Sequence, residues 1–311
     1  MEQTAAIVGA GLVGRAWAMV FARAGWQVRL YDAAAGQQDI ARAHIESGLA
    51  EQQAAGLVDD AAGAAARVSV AQRLADAVSG ADWVQENLPE DVDVKAAVFR
   101  ELDALAPPSA VLASSTSAIP ASRFTETLAG RARCLVAHPV NPPHLIPVVE
   151  LCGAPWTSTA TVDRARAVMT QIGQVSVVVR RELDGFVLNR LQGALLSEAM
   201  RLVSEGYVSP EDLDKTIAHG LGLRWSFMGP FATIELNAPG GVADYCARYA
   251  GFYRRLAADP PSPEVWTGDA AARVVAALGA PSTAAARDRR MDERDRRLLA
   301  LARHKRGQSG T

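Results

Sequence analysis

A glycine-rich turn between an apolar segment and a helical pattern constrains the fold of this chain more than any other feature. Residues 5–8 form an apolar run typical of a buried strand, and residues 12–24 place apolar side chains at helical spacing. Between them stand Gly9, Gly11 and Gly14, in the order Gly-x-Gly-x-x-Gly. Such glycines allow a tight turn, the approach of a pyrophosphate to the backbone, and close packing of helix on strand. The pattern predicts a Rossmann-type domain that binds a dinucleotide.

The residue after the second strand pattern indicates which dinucleotide is bound. Residues 27–31 favour a strand, and Asp32 follows directly. A carboxylate at this place hydrogen-bonds the ribose hydroxyls and repels a 2′-phosphate, and residues 33–35 contain no arginine to bind one. The sequence therefore predicts NAD rather than NADP. The alternative is that the three glycines serve only a turn and helix packing.

Strand and helix patterns alternate through the first half of the chain. Helices are predicted over residues 35–55 and 93–105. Such alternation is typical of a doubly wound, mostly parallel sheet with helices on both faces, so we expect an α/β fold with an N-terminal Rossmann-type domain. Further strands are predicted at residues 81–85, 110–114, 134–137, 148–151 and 175–179.

The predicted secondary structure changes from mixed strands and helices to helices alone near residue 184. From there helical periodicity dominates and strand patterns disappear, which predicts a C-terminal all-α domain. The expected domains are residues 1–183, which bind the cofactor, and residues 184–311, which are helical. Segment 284–305 is rich in charges of both signs and favours a solvated helix with a narrow apolar seam.

Composition argues against several classes of function. A formal net charge of −2 over 311 residues is not that of a general nucleic-acid binder, which normally carries a basic excess. No apolar run approaches the roughly 20 residues that span a bilayer. The three cysteines are widely spaced and predict neither a disulfide framework nor a metal site. Without a leader pattern at its start, the chain is expected to be cytoplasmic, with no nucleic-acid or membrane partner.

A histidine at the end of a predicted strand is the strongest candidate for catalysis. His138 follows residues 134–137, and Glu150 comes twelve residues later. Histidine is the side chain best suited to take a proton near neutral pH. A base of this kind, together with a cofactor that accepts hydride, is suited to the oxidation of an alcohol. The alternative is a structural histidine at a strand end.

Four stretches in this order resemble the 3-hydroxyacyl-CoA dehydrogenase superfamily across essentially the whole chain, and most of all its lambda-crystallin / L-gulonate 3-dehydrogenase branch. The resemblance implies that His138 is the general base, that Glu150 orients its ring, and that Ser117 and Asn189 hydrogen-bond the reacting oxygen. The stretches are residues 115–118 (STSA), 138–143 (HPVNPP), 185–191 (GFVLNRL) and 220–225 (GLGLRW), the last leading to Gly229-Pro230.

The resemblance also implies a set of cofactor-binding residues. Glu90 and Lys95 match positions that face the cofactor in this family, and Asn141 would position the substrate or the nicotinamide. For Glu90 and Lys95 the alternatives are an ordinary acid at a helix start and a solvated lysine, and for Ser117 a turn serine. The implied set is Gly9, Gly11, Leu12, Val13, Gly14, Asp32, Glu90, Lys95, Ser117 and Asn141.

Departures from the family pattern bear on the substrate. The acyl-CoA enzymes commonly have asparagine where this chain has Ser115, and Phe-Phe where it has Pro139-Val140; both changes are typical of the branch that acts on free hydroxy acids. Arg224, followed by Trp225, could hold a substrate carboxylate through two parallel hydrogen bonds. The alternative is a structural arginine at an interface. His144-Leu145 replace aromatic residues common in the branch, which leaves the exact substrate open.

Three hypotheses about function follow. The first is an NAD-dependent dehydrogenase for a short 3-hydroxy acid, with L-gulonate the leading candidate and L-carnitine less favoured. The second is a 3-hydroxyacyl-CoA dehydrogenase. The third is a non-catalytic, crystallin-like protein that keeps the fold and the nucleotide site. The helical domain resembles the family's dimerisation domain, which predicts a homodimer.

Overall fold

The computed structural model describes residues 2–280 and 282–308. The strands are β1 Thr4–Val8, β2 Gln27–Tyr31, β3 Val68–Val70, β4 Trp83–Glu86, β5 Val111–Ser114, β6 Cys134–Pro139, β7 Val148–Gly153 and β8 Val175–Val179. The helices of the first two thirds are α1 Leu12–Arg23, α2 Gln37–Ala54, α3 Ala61–Ala66, α4 Leu74–Val78, α5 Val92–Leu105, α6 Ser122–Thr125, α7 Thr159–Gln171 and α8 Phe186–Ser204. The remaining helices are α9 Pro210–Thr216, α10 Gly222–Trp225, α11 Pro230–Leu236, α12 Gly241–Ala257, α13 Gly268–Leu278 and α14 Ala284–Arg306.

The strands form one sheet in the order β3-β2-β1-β4-β5-β6-β7-β8. The first six pair in parallel, β7 pairs antiparallel with β6, and β8 pairs in parallel with β7. This confirms the predicted doubly wound, mostly parallel sheet. Strand order reverses between β1 and β4, and ligands of such sheets bind at the carboxyl edge beside that point.

Both faces of the sheet are covered by apolar side chains. In β1, Ile7 belongs to a core cluster that includes Trp17 and Trp83, whereas Val8 belongs to a second cluster that includes Phe99. Every residue of β1 is buried, which explains its unbroken apolar run. The glycine-rich turn therefore starts from a rigid, fully covered strand.

Three short elements between β2 and β4 were not predicted from the sequence. They are α3, β3 and α4, which are three to six residues long. Elements of this length show too few residues for a helical or alternating period to emerge. Asp60 caps α3 by accepting a hydrogen bond from the N–H of Gly63. An aspartate alone does not predict a helix start unless a helical pattern follows it, and α3 is too short to show one.

The chain forms two compact units whose limits differ from the predicted domains. One unit extends to Asn189 and also contains the chain from Arg290, and the other runs from Arg190 to Arg289. The tail joins the first unit because Leu299 on α14 is buried against Leu57 and Leu145. The apolar seam of this charged helix thus covers the cofactor-binding unit. Residues 281 and 309–311 of the predicted helical domain lie outside the described residues.

The second unit is built from helices. Its described residues include most of α8, the helices α9 to α13 and a π-helical turn at Ile217–Leu221. None of the helices in the described ranges is long and apolar enough to cross a membrane. Within the same ranges, no group of three or more histidine, cysteine, aspartate or glutamate side chains could hold a metal ion.

Candidate active site

Two glycines of the turn after β1 are required by the protein's own packing. Gly9 has φ +92°, and a Cβ on it would lie 2.9 Å from the carbonyl oxygen of Asn87. A Cβ on Gly14 would overlap the carbonyl oxygen of Gly9. The turn can therefore close on α1 and on the end of β4 only with glycine at these two positions.

Gly11 differs from its two neighbours in the motif. Its φ of −70° suits any residue, and a Cβ built on it would meet nothing within 4 Å. Glycine here leaves space beside the first turn of α1, where Leu12 and Val13 begin the helix. Backbone N–H groups at a helix start attract phosphate, so the turn fits the pyrophosphate of a dinucleotide.

Asp32 is fixed to the same turn. One carboxylate oxygen accepts a hydrogen bond from the N–H of Ala10 at 2.7 Å, and the other accepts one from the N–H of Ala34 at 2.8 Å. Each oxygen has a second lone pair that can accept from a ribose hydroxyl. The side chain is thus held beside the glycine-rich turn in the place expected for an NAD-binding acid.

His138 and Glu150 are direct neighbours across the antiparallel pair β6–β7. The register places the two residues opposite each other, and His138 Nδ1 lies 2.9 Å from Glu150 Oε2. Their side chains are only 6% and 3% exposed, which strengthens the interaction. In the neutral imidazole the Nδ1–H donates to the carboxylate, so Nε2 is left as the acceptor. Among the described residues, Nε2 has no hydrogen-bond partner.

The second oxygen of Glu150 holds the start of α8. Oε1 accepts hydrogen bonds from the N–H groups of Val187 at 2.9 Å and Leu188 at 3.0 Å. Burial by itself would raise the pKa of Glu150, but the hydrogen bonds from His138, Leu188 and Val187 outweigh it and lower that pKa below its ordinary value. Glu150 is therefore ionised at neutral pH and can hold the His138 ring in one orientation.

Phe186 packs against His138 and was not predicted as a site residue. It has φ +47°, which is rare for a residue with a bulky side chain, and it is completely buried. Its ring centroid lies 5.5 Å from that of His138. A strained backbone at the start of α8 is stable only because the packing and the hydrogen bonds to Glu150 hold it.

Asn189 and Ser117 are also brought together. The Asn189 amide donates a hydrogen bond to the carbonyl oxygen of Ser117 at 2.8 Å. Ser117 is exposed in the loop after β5, and Asn141 is exposed in the loop after β6. The carboxyl ends of β5 and β6 lie at the same edge of the sheet as the glycine-rich turn, because these strands are parallel to β1.

Comparison with known proteins identifies the family. Residues 4–183 match the model of the 3-hydroxyacyl-CoA dehydrogenase NAD-binding domain, and residues 185–264 match the model of the C-terminal domain of that family. The chain belongs to the 3-hydroxyacyl-CoA dehydrogenase family. The family's N-terminal domain binds NAD, which agrees with Asp32 and the glycine-rich turn, and NAD is the cofactor of this protein.

Individual members of the family resemble the chain over most of its length. Lambda-crystallin of Oryctolagus cuniculus is 43% identical over 96% of this chain and 95% of its own length. A 3-hydroxyacyl-CoA dehydrogenase of Gibberella moniliformis is 37% identical over 86% of this chain and 80% of its own. The solved structure of an NAD⁺-dependent dismutase, 5-formyl-3-hydroxy-2-methylpyridine 4-carboxylic acid 5-dehydrogenase, superposes with a TM-score of 0.86 at 32% identity, covering 99% of this chain and 100% of that one.

Glu90 orders the loop that carries Ser117 in this family member. Its Oε1 accepts hydrogen bonds from the Thr116 hydroxyl and from the N–H groups of Ser117 at 3.1 Å and Ala118 at 2.9 Å. Lys95 is only 1% exposed. Its contact with the cofactor, like that of Glu90, stays a prediction.

Glu86 is the partner of Lys95 and was missed in the sequence. Lys95 Nζ lies 3.0 Å from Glu86 Oε1, and both side chains are buried. Glu86 Oε2 also accepts a hydrogen bond from the Ser114 hydroxyl at 2.5 Å. Burial raises the pKa of Glu86, although Lys95 and Ser114 oppose the shift. The only sequence signal was an acid at a strand end followed nine residues later by a lysine.

Ser115, one of the departures from the acyl-CoA pattern, lies at the centre of a second polar group. Its hydroxyl accepts hydrogen bonds from Trp17 Nε1 at 3.0 Å and Gln85 Nε2 at 2.8 Å, and donates to Asn87 Oδ1 at 2.7 Å. This group ties α1 to the ends of β4 and β5. A serine at this position therefore has a structural role in joining α1 to the sheet.

Arg224 and Trp225 lie in the second unit. Both are on the short helix α10, directly after the π-helical turn, and both are exposed, Trp225 by 42%. Within the described ranges, no carboxylate lies within salt-bridge distance of Arg224. Its guanidinium is chemically free to bind an anion.

Two glycine variants separate packing from cofactor binding. Gly14→Ala is expected to lower the free energy of unfolding by about 1–3 kcal/mol, because its Cβ overlaps a backbone oxygen. Gly11→Ala is expected to change stability by less than about 0.5 kcal/mol while weakening NAD binding, because its Cβ points into open space. Urea unfolding and NAD titration check both. Equal destabilisation by the two variants would contradict this division.

His138→Gln tests the proton acceptor. The variant is expected to lower kcat by about 10²- to 10⁴-fold, the range of general-base catalysis, and to leave NAD affinity unchanged. His44→Gln, an exposed histidine on α2, is the matched control and should retain full activity. Turnover by His138→Gln at the rate of the unmodified protein would show that the base lies elsewhere.

Proposed function

We propose that this protein catalyses the NAD-dependent oxidation of the 3-hydroxyl of a free 3-hydroxy acid, of the L-gulonate type, to the 3-keto acid. The observation that carries the proposal is the buried His138–Glu150 pair at the same sheet edge as the glycine-rich turn. It supplies an oriented proton acceptor beside a site for a hydride acceptor. Likeness to lambda-crystallin over nearly the whole chain supports the same branch of the family.

Each candidate residue has a separate role in the proposed oxidation. NAD supplies the hydride acceptor. His138 Nε2 takes the hydroxyl proton while the C3–H bond breaks and the carbonyl forms. Glu150 stays ionised and stabilises the imidazolium that results. In this proposal the Ser117 hydroxyl and the Asn189 amide hydrogen-bond the oxygen as its charge develops, and Asn141 positions the substrate. In the reverse direction His138 returns the proton.

A carboxylate substrate fits the chemistry of Arg224. A guanidinium binds a carboxylate through two parallel charge-assisted hydrogen bonds, and a thioester offers no charge at that end. The structurally similar dismutase is named for a carboxylic acid. Trp225 beside Arg224 adds an apolar wall.

The alternative substrate is a 3-hydroxyacyl-CoA thioester. It is supported by the family description and by the similar protein from Gibberella moniliformis. L-carnitine and a non-catalytic, crystallin-like role are less favoured. The chain has Ser117, His138, Glu150 and Asn189, the side chains that this reaction needs, and their presence supports an enzyme over the non-catalytic role.

A substrate panel distinguishes these functions. NADH formation is measured with L-gulonate, L-carnitine, 3-hydroxybutyrate and 3-hydroxybutyryl-CoA at the same concentration. We expect the highest kcat/KM with L-gulonate. A marked preference for the thioester would reject the free-acid proposal, and no turnover of any of the four would favour the non-catalytic alternative.

Arg224→Gln tests the carboxylate contact. Loss of a charge-assisted pair is expected to raise KM for the free acid by about 10- to 100-fold and to leave kcat nearly unchanged. Arg254→Gln removes an exposed cation from α12 of the same unit and is the matched control. If the two variants have the same KM, Arg224 does not bind the substrate.

The protein is further proposed to be a cytoplasmic homodimer joined through residues 190–289. That unit exposes many large apolar side chains, which monomers rarely display so densely. Prominent among them are Leu191 (64% exposed), Leu223 (63%), Phe231 (77%) and Leu236 (73%). No nucleic-acid or membrane partner is proposed.

Sedimentation equilibrium at micromolar concentration checks the assembly. We expect a dimer for the unmodified protein and a shift toward monomer for the double variant Phe231→Asp/Leu236→Asp on α11. Leu105→Asp, at an exposed position of α5 in the first unit, should remain dimeric. A monomeric unmodified protein would reject the proposal.

A further inference from the structure

A cavity in the first unit lies under α14. The proposed function does not use it. Its volume is about 370 Å³, at the lower end for small-molecule sites. It lies between the C-terminal half of α14, the end of α1 and the connection from β6 to β7. The lining does not include His138, Glu150 or the glycine-rich turn, so the cavity is separate from the candidate active site.

The cavity lining combines cations with apolar side chains. Arg23, Lys305 and Arg306 line it, and no acidic residue does. Apolar atoms come from Leu145 and Leu298 and from neighbours of similar character: Leu57, Ile146, Pro147, Leu301 and Ala302. A ligand that matches this lining carries a negative charge on a short apolar body.

The cations of the cavity have only neutral hydrogen-bond partners. Arg23 donates to Gln52 Oε1 at 2.7 Å and to the carbonyl oxygen of His144 at 2.8 Å. Arg306 donates to the carbonyl oxygen of Leu57 at 3.0 Å. No carboxylate of residues 2–280 or 282–308 lies within 4.0 Å of either guanidinium. Arg23 is half-buried at the end of α1 and Arg306 is exposed on α14. Two neighbouring cations without a carboxylate partner favour an anion between them.

Electrostatics around Arg23 support the same conclusion. Burial, and then the positive charge of Arg306, lower the pKa of Arg23 to about 10. Burial, followed by the charges of Arg23, Arg15 and Arg294, lowers the pKa of His144 to about 4, so its ring is neutral at neutral pH. His144 Nδ1 is buried without a hydrogen-bond partner and can serve as a donor.

We propose that this cavity binds a small organic carboxylate, with its charge at Arg23 and its apolar chain against the leucines of α14 and the β6–β7 connection. An inorganic anion would satisfy the cations but leave the apolar wall uncovered. An uncharged apolar molecule would leave the guanidiniums unpaired. The combination selects an anion with a short hydrocarbon body.

Isothermal titration calorimetry of the full-length protein tests the proposal with three probes at equal ionic strength. We expect hexanoate to bind once per chain, and hexanamide and inorganic phosphate to bind at least about 10-fold more weakly, since each lacks one of the two matching features. Equal binding of hexanoate and either other probe would overturn the proposal, and so would a lack of hexanoate binding at millimolar concentration.

Variants locate the site. Arg23→Met is expected to weaken hexanoate binding by about 10-fold or more. Because Arg23 also supports the fold through Gln52, Lys305→Gln at the exposed rim provides a second test, with an expected loss of about 2- to 5-fold. Arg303→Gln, an exposed cation two residues earlier on α14 that does not line this cavity, is the matched control.

Two outcomes of the variant series would overturn the assignment. One is an equal loss of binding in Lys305→Gln and Arg303→Gln, which would indicate a general charge effect. The other is a loss of hexanoate binding in Arg224→Gln, which would place the probe at the candidate substrate arginine instead. Unchanged binding in Arg224→Gln is the expected result. The titrations need no turnover, so they succeed or fail independently of the proposed function.

Discussion

Glu150 is the single group on which the candidate site depends most. Its two oxygens accept three hydrogen bonds, one from His138 across the strand pair and two from the start of α8. One buried carboxylate thus fixes the orientation of the histidine and anchors the helix that carries Asn189. Hydrogen bonds to an ionised group contribute roughly 1.5–3 kcal/mol each, enough to hold the strained backbone of Phe186 in place.

The antiparallel strand β7 makes this arrangement possible. In the parallel part of the sheet, neighbouring strands are joined by long crossovers, and functional side chains meet only at the carboxyl edge. The reversal at β7 sets Glu150 opposite His138 in register, within the sheet itself. The pair is therefore buried, whereas Ser117 and Asn141 are exposed on the loops after β5 and β6.

A buried ion pair, Glu86 with Lys95, organises the neighbouring loops. Glu86 binds Lys95 and Ser114. Glu90 accepts hydrogen bonds from the backbone N–H groups of Ser117 and Ala118. Burying charges costs free energy unless they are paired and fully hydrogen-bonded, and both conditions are met at Glu86. The loop after β5 is thereby held from two sides, by Glu90 and by Asn189. Both contacts are made by the backbone of Ser117, so they do not depend on its hydroxyl.

The sequence by itself determined the class of fold and the cofactor turn, because period, glycine spacing and Asp32 are local signals, and it provided most other candidate site residues only through the family resemblance. It indicated His138 and Glu150 as a pair only through family resemblance, since twelve residues of separation do not reveal strand direction. Tertiary structure alone decided that β7 runs antiparallel, that Lys95 is buried against Glu86, and that α14 covers the first unit. Each of these depends on contacts between residues far apart in the chain, which no local pattern encodes.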